Sequence, residues 1–282
     1  MIVCRSTDEL IRARQQRSAP WAFVPTLGNL HEGHLALVAE AARHASQVVV
    51  SIFVNPLQFS GGEDFGRYPR TLEADLAALQ VAGTDVVFVP GESDIYPNGR
   101  ERHTRVRVPG LSEILCGAFR PGHFEGVATV VQRLFQLLEP AYAVFGKKDY
   151  QQWQIVRRMT ADLGLPVAIL AVDTLRAPDG LALSSRNGYL DARERAQAPL
   201  LYATLQEVVR SEPDTVGDWT GVLRGAEARL AAHGFVPEYL VVRRQQDLEP
   251  PEPGDRALVA LAAANLGRTR LIDNIEFSRV AV

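Results

Sequence analysis

The chain has 282 residues, 46% of them hydrophobic and 22% charged, with a formal net charge of −3. That length has room for one large or two moderate domains, and the charge gives no sign of a nucleic-acid-binding surface. Two cysteines are too few for a disulfide framework or a cysteine-built zinc site, and no apolar run approaches the ~18 residues of a membrane span.

The first twenty residues are rich in Arg and have no apolar core of the signal-peptide kind. With so few cysteines, a reduced, cytoplasmic setting is expected. An amphipathic helix is predicted over 8–17. The apolar run 21–25 reads as a strand. It leads into Pro25-Thr26-Leu27-Gly28-Asn29-Leu30-His31-Glu32-Gly33-His34 and out through a helical stretch, 35–42. A strand-to-helix turn of this kind sets backbone N–H groups at a helix N-terminus, where phosphate binds readily. Two histidines three residues apart share one face of a helical turn.

The β-branched run 48–54 predicts a strand covered on both faces, followed by Asn55-Pro56-Leu57-Gln58-Phe59 and a loop over 60–64. A helix is expected over 71–81 and a short strand over 86–89. The stretch 91–126 reads as irregular, and its length makes it a candidate cover for a site. Val127, Val130, Val131, Leu134, Phe135 and Leu138 recur at helical spacing. A strand over 142–145, a helix over 149–163 and a strand over 167–172 follow. This alternation predicts an α/β fold with a parallel sheet, whose ligands bind beyond the carboxyl ends of the strands. The segments leaving those ends are 25–34, 55–58, 146–152 and 173–187. After Asn187-Gly188, helices over 192–210 and 218–233 and strands over 238–244, 257–264 and 270–277 predict a smaller α+β domain. The expected domains are therefore 1–187 and 188–282.

The strand-end segments carry the polar chemistry. His31 and His34 lack the i, i+4 spacing and third ligand of a zinc hydrolase. Beside a Gly-rich turn they are placed to donate hydrogen bonds to phosphate. Lys147 and Lys148 are the chain's only lysines; every other residue of the 30 Lys+Arg is Arg. A lysine at a helix start can act as a compact point charge on phosphate. Asp149 beside them can cap a helix or hold a ribose hydroxyl or Mg²⁺. Ser184, Ser185 and Arg186 suit an anion. Gln58 and Gln152 could orient a carboxylate without neutralising it. Asp75 lies at the edge of an apolar helical stripe, as a solvated residue or part of a metal site.

Taken in order, the blocks at 25–34, 53–59, 68–70 (Tyr-Pro-Arg), 121–124 (Pro-Gly-His-Phe), 146–152 and 184–187 closely resemble the pantothenate synthetase (pantoate–β-alanine ligase) family, within the HxGH nucleotidyltransferases. The resemblance implies a Rossmann-like first domain, a smaller second domain and a homodimer. It implies condensation of pantoate with β-alanine, driven by MgATP through a pantoyl adenylate, with no nucleic-acid or membrane partner. Residues implied to bind ATP are Leu27, Gly28, Asn29, Leu30, His31, Glu32, Gly33, His34, Gly146, Lys147, Lys148, Asp149, Leu175, Leu183, Ser184, Ser185 and Arg186. His34 is the implied proton donor with His31 beside it, and Lys148 and Arg186 lie on phosphates. Gln58 and Gln152 are the implied pantoate binders, and Asp75 is associated with Mg²⁺. The chain departs from the family pattern at Leu27 (commonly Met), Asn29 (commonly Ala), Lys147 (usually Glu or Gln) and Leu175 (often Val).

Overall fold

The computed structural model describes residues 1–16, 20–59, 61, 63–211 and 218–279. Their contacts form two compact units: residues 1–147 with 152–173, and residues 148–151 with 174–282.

The first unit is built on strands β1 (Ile2–Cys4), β2 (Trp21–Thr26), β3 (Gln47–Ile52), β4 (Val86–Phe88), β5 (Tyr142–Gly146) and β6 (Ala168–Val172). They form one sheet in the order β1-β4-β3-β2-β5-β6, and every pairing is parallel. From β2 the chain winds outward through β3 and β4, then returns to the other side of β2 with β5 and β6. The carboxyl ends of β2 and β5 therefore flank the point where the winding reverses, the usual ligand crevice of such a sheet.

Helices α1 (Thr7–Gln15), α2 (Glu32–His44), α3 (Leu72–Val81), α4 (Glu92–Ile95), α5 (Cys116–Phe119), α6 (His123–Leu138) and α7 (Tyr150–Asp162) complete the alternation. The predicted end of α1 at residue 17 lies outside the described residues, as do 60 and 62 of the predicted loop. Leu37, Val38 and Ala41 of α2 pack with Ala22, Val24, Val48, Val50 and Val144. On α6 the six predicted apolar positions are all buried. Phe135 of α6 meets Phe23 of β2 edge-on, with ring centroids 6.2 Å apart, a geometry worth about 1 kcal/mol beyond area burial. Residues 91–126 are more structured than expected. They contain α4 and α5, and bury Ile95, Tyr96, Val108, Leu115 and Cys116, so these residues belong to the core.

The second unit holds α8 (Ala192–Gln197), α9 (Leu200–Arg210) and α10 (Thr220–Ala232) with an antiparallel sheet of β7 (Phe235–Arg244), β8 (Ala257–Leu266) and β9 (Thr269–Ser278). Leu201, Leu205, Val208 and Leu230 pack with Leu240, Ala260 and Ala262. β7 starts earlier than the expected 238 because Pro237 lies on an edge strand at a register shift, where a missing N–H is tolerated. Residues 174–187, expected in the first domain, group with this unit. Leu183 N–H donates to Leu175 O at 2.9 Å, Leu181 enters the second core, and Arg176 forms a bidentate pair with Asp273 at 2.6 and 2.8 Å.

Candidate active site

The turn between β2 and α2 is tied down atom by atom. His31 is the N-cap of α2, and its side chain accepts the Gly33 N–H at Nδ1, 3.1 Å. His34 returns the bond, accepting the His31 N–H at its own Nδ1, 3.3 Å. This reciprocal box, usually built from Ser or Thr with Glu, is built here from two imidazoles whose centroids lie 4.1 Å apart. Each Nδ1 faces a main-chain donor and must be an acceptor. The hydrogen-bond network therefore assigns the ring proton to Nε2 in both neutral rings.

The backbone amides of the turn have a different use from the one expected. Asn29 N–H and Leu30 N–H both point at the Asp75 carboxylate, at 3.0 and 2.8 Å. Gly28 N–H reaches Thr26 Oγ1 at 3.3 Å. These three amides are turned into the protein, while the positive end of the dipole of the thirteen-residue α2 lies at the turn. Asn29 is left-handed, with φ 51°, a region that Asn enters more readily than most side chains. Leu27, Leu30, Gly33 and His34 are part-buried, while Glu32 is exposed.

Gln58 is nine-tenths buried at the end of a 3₁₀ turn, Pro56–Gln58. Its Oε1 accepts Asn55 Nδ2–H at 3.1 Å. Asn55 is wholly buried; it also donates to Gly126 O at 3.1 Å and accepts from Leu57 N–H and the Tyr96 hydroxyl. Burial pushes the Tyr96 phenol well above its ordinary range, against the opposing effect of Arg105 and with a smaller push from Glu92. Gln58 O is held from the other side by His123 Nδ1 at 2.7 Å. Arg120 Nη1 lies 2.9 Å from His123 Nε2. Because a guanidinium only donates, His123 carries its ring proton on Nδ1 and donates it to Gln58 O. Arg120 also pairs with Glu63 at 2.6 and 2.9 Å. The sequence marks Asn55-Pro56 and Pro121-Gly122-His123-Phe124 as blocks but gives none of these residues a task, and Tyr96 has no local signal at all.

At the end of β5, Gly146 faces α2: a Cβ there would come 3.9 Å from Leu37 Cδ2. Lys147 pairs with Asp173 at 2.9 Å and lies 6.0 Å from the Trp153 ring. Its charge is thus shared with the end of β6. Gln152 is half-buried on the first turn of α7.

The second unit gathers the remaining candidates. Lys148 O accepts Asn274 Nδ2–H at 3.1 Å, and the Tyr150 hydroxyl donates to Glu276 at 2.8 Å. β9 therefore holds the Lys148–Asp149 backbone. Lys148 Nζ lies 3.8 Å from the Asp149 carboxylate. Leu175 and Leu183 are hydrogen-bonded neighbours across a hairpin. Ser184 caps the next turn by accepting Arg186 N–H at 3.2 Å, and Ser185 and Arg186 are part-buried on it.

A doubly wound parallel sheet whose reversal point carries a helix N-terminus is a frame suited to an enzyme that binds a nucleotide. The model of the family described as pantoate-beta-alanine ligase matches residues 3–276. Pantothenate synthetase from Idiomarina loihiensis is 50% identical over 281 residues, covering 100% of this chain and 99% of that one. The enzyme of the same name from Chromohalobacter salexigens is 56% identical, covering 91% and 90%. Among solved structures, pantothenate synthetase from Thermus thermophilus has a TM-score of 0.92 at 46% identity, over 99% of this chain and 100% of that chain. The Francisella tularensis ligase, solved with beta-gamma ATP and beta-alanine, has a TM-score of 0.82 at 32% identity, over 98% and 97%. The chain belongs to the pantoate–β-alanine ligase family.

Proposed function

We propose that the enzyme joins pantoate to β-alanine in two steps. A pantoate carboxylate oxygen attacks the α-phosphorus of ATP, the bond to the β-phosphate oxygen breaks, and pyrophosphate leaves. The β-alanine amine then attacks the acyl carbon of the pantoyl adenylate and loses a proton as AMP departs. The observation that carries this reading is the imidazole box: with both Nδ1 atoms occupied, His31 and His34 present Nε2–H as fixed donors. Preplaced donors of this kind lower a barrier on which charge builds at phosphate. His34 is the donor to the reacting phosphate and His31 its neighbour. Lys148 and Arg186 meet phosphate charge, and Leu175 and Leu183 to Ser185 line the nucleotide. Gln58 and Gln152 hold pantoate.

Mg²⁺ accompanies ATP as the chelated nucleotide. The Asp75 carboxylate does not fit as its ligand, since it is buried and already accepts two main-chain N–H groups. The enzyme acts in the cytoplasm as a homodimer. Both cysteines are buried and neither is in a disulfide, which supports a reducing setting. Among the described residues no helix is long and apolar enough to cross a membrane. Light scattering of the purified protein measures the assembly.

The test of the reaction is AMP release with pantoate, β-alanine, ATP and Mg²⁺, omitting one component at a time. AMP is expected only from the complete mixture. Pyrophosphate without amide formation would point to an enzyme that stops at adenylyl transfer. Nucleotide binding with no turnover of any acid would point to a sensor.

A further inference from the structure

We infer that Asp75 is a positioning residue that holds the nucleotide turn in its bent form, and is not a magnesium ligand. The inference rests on the reading of the turn as the nucleotide site. Asp75 is 3% exposed and lies in the first turn of α3, where the helix dipole favours a negative charge. Oδ2 accepts Asn29 N–H at 3.0 Å; Oδ1 accepts Leu30 N–H at 2.8 Å and the Thr71 hydroxyl at 3.2 Å. A carboxylate has about four lone-pair sites, and three are taken. Mg²⁺ keeps several waters in near-octahedral order, which a carboxylate so enclosed cannot accommodate.

The backbone it holds could not keep its shape alone. Gly28 has φ 84° and Asn29 φ 51°, two consecutive left-handed residues. A Cβ on Gly28 would stand 3.1 Å from Asp75 Oδ2 and 3.1 Å from Ile52 Cγ2. The turn is thus drawn down onto the carboxylate, and a side chain at this position would meet a strained positive φ and two neighbours that must give way. Strained backbone persists where surrounding bonds over-determine it, and here the two amide bonds to Asp75 do so. Residue 31 follows at once, so the same bonds set where the imidazole box begins. Asn29 extends the arrangement: its Oδ1 lies 3.5 Å from Thr71 Oγ1.

The experiment uses full-length Asp75→Asn, Thr71→Val and His34→Ala. Asn keeps the shape but turns an NH₂ toward a main-chain N–H. Binding of AMP is measured by calorimetry in EDTA, then activity is titrated with Mg²⁺ at saturating ATP. For Asp75→Asn, AMP affinity is expected to fall roughly tenfold, the scale of one bond to a charged group, with an unchanged Mg²⁺ half-saturation. Thr71→Val is expected to lose about two- to threefold by the same reasoning. Normal AMP affinity in EDTA with a raised Mg²⁺ requirement overturns the inference and restores the metal role. If Asp75→Asn does not fold, by circular dichroism, Thr71→Val decides: wild-type AMP affinity overturns the inference. Normal turnover by His34→Ala removes the nucleotide reading itself; a crippled His34→Ala beside an Asp75→Asn that binds AMP normally removes only the role given to Asp75.

Discussion

Asn55 donates its side-chain N–H to Oε1 of Gln58 at 3.1 Å, and this bond fixes which end of the Gln58 amide is left to donate. The NH₂ end is the one presented to an acceptor, which suits a substrate carboxylate or hydroxyl. Gln58→Ala is therefore expected to raise KM for pantoate about tenfold, the scale of one lost hydrogen bond to a charged partner, and to leave KM for ATP within about twofold. Initial-rate kinetics with each substrate varied in turn checks this. An effect confined to ATP would sink the assignment.

His34→Ala is expected to lower kcat by about 10² or more, the scale of removing one transition-state donor. His31→Asn separates capping from chemistry. Asn is among the best N-caps and can accept the Gly33 N–H as the imidazole does, so the urea midpoint is expected to stay near wild type while turnover falls. Loss of stability with turnover intact would reverse the roles.

Gly126 lies against the Gln58 turn: a Cβ there would sit 2.3 Å from Leu57 O and 2.6 Å from Gln58 N. Backbone must move to accept Gly126→Ala, at roughly 1–3 kcal/mol, the usual range for overpacking. Chemical denaturation reads the loss, and KM for pantoate is expected to rise while KM for ATP does not. An unchanged pantoate KM would show that helix and turn are not coupled.

Tyr96→Phe removes the hydroxyl that Asn55 Oδ1 accepts; Leu57 N–H remains on that oxygen, so the cost is about 1 kcal/mol. Burial raises the folded-state pKa of Tyr96 above its ordinary 10.0. Its contribution is then fully present below pH 10 and is lost as pH rises from there toward the folded pKa, because the unfolded chain releases the proton first. Comparing the urea midpoint of wild type and Tyr96→Phe through the alkaline range is the measurement. The variant is expected to fall less steeply above pH 10, and parallel slopes would refute the point.

The sheet was readable because its strands are short β-branched runs between helices of clear period, and α6 was the clearest of these. The His-x-Gly-His turn was readable from its glycines and histidines. Its internal bonding was not. Asp75 reaches Asn29 and Leu30 across 46 and 45 residues, and no local pattern encodes a partner that distant. The same holds for Tyr96 and Asn55, 41 residues apart. The expected boundary after residue 187 followed a turn signal, Asn187-Gly188. The contacts instead divide at 173, where β6 ends, because Leu181 and Arg176 find their partners in the second unit.

Residues 148–151 belong with the second unit although they interrupt the first, and the chain therefore passes between the units three times. A fragment starting at Thr174 would strip Asn274 of the Lys148 carbonyl and Glu276 of the Tyr150 hydroxyl. The second unit is thus no detachable tail. Any shuffling, truncation or fusion that treats it as one leaves β9 facing a gap where Lys148 and its neighbours had been.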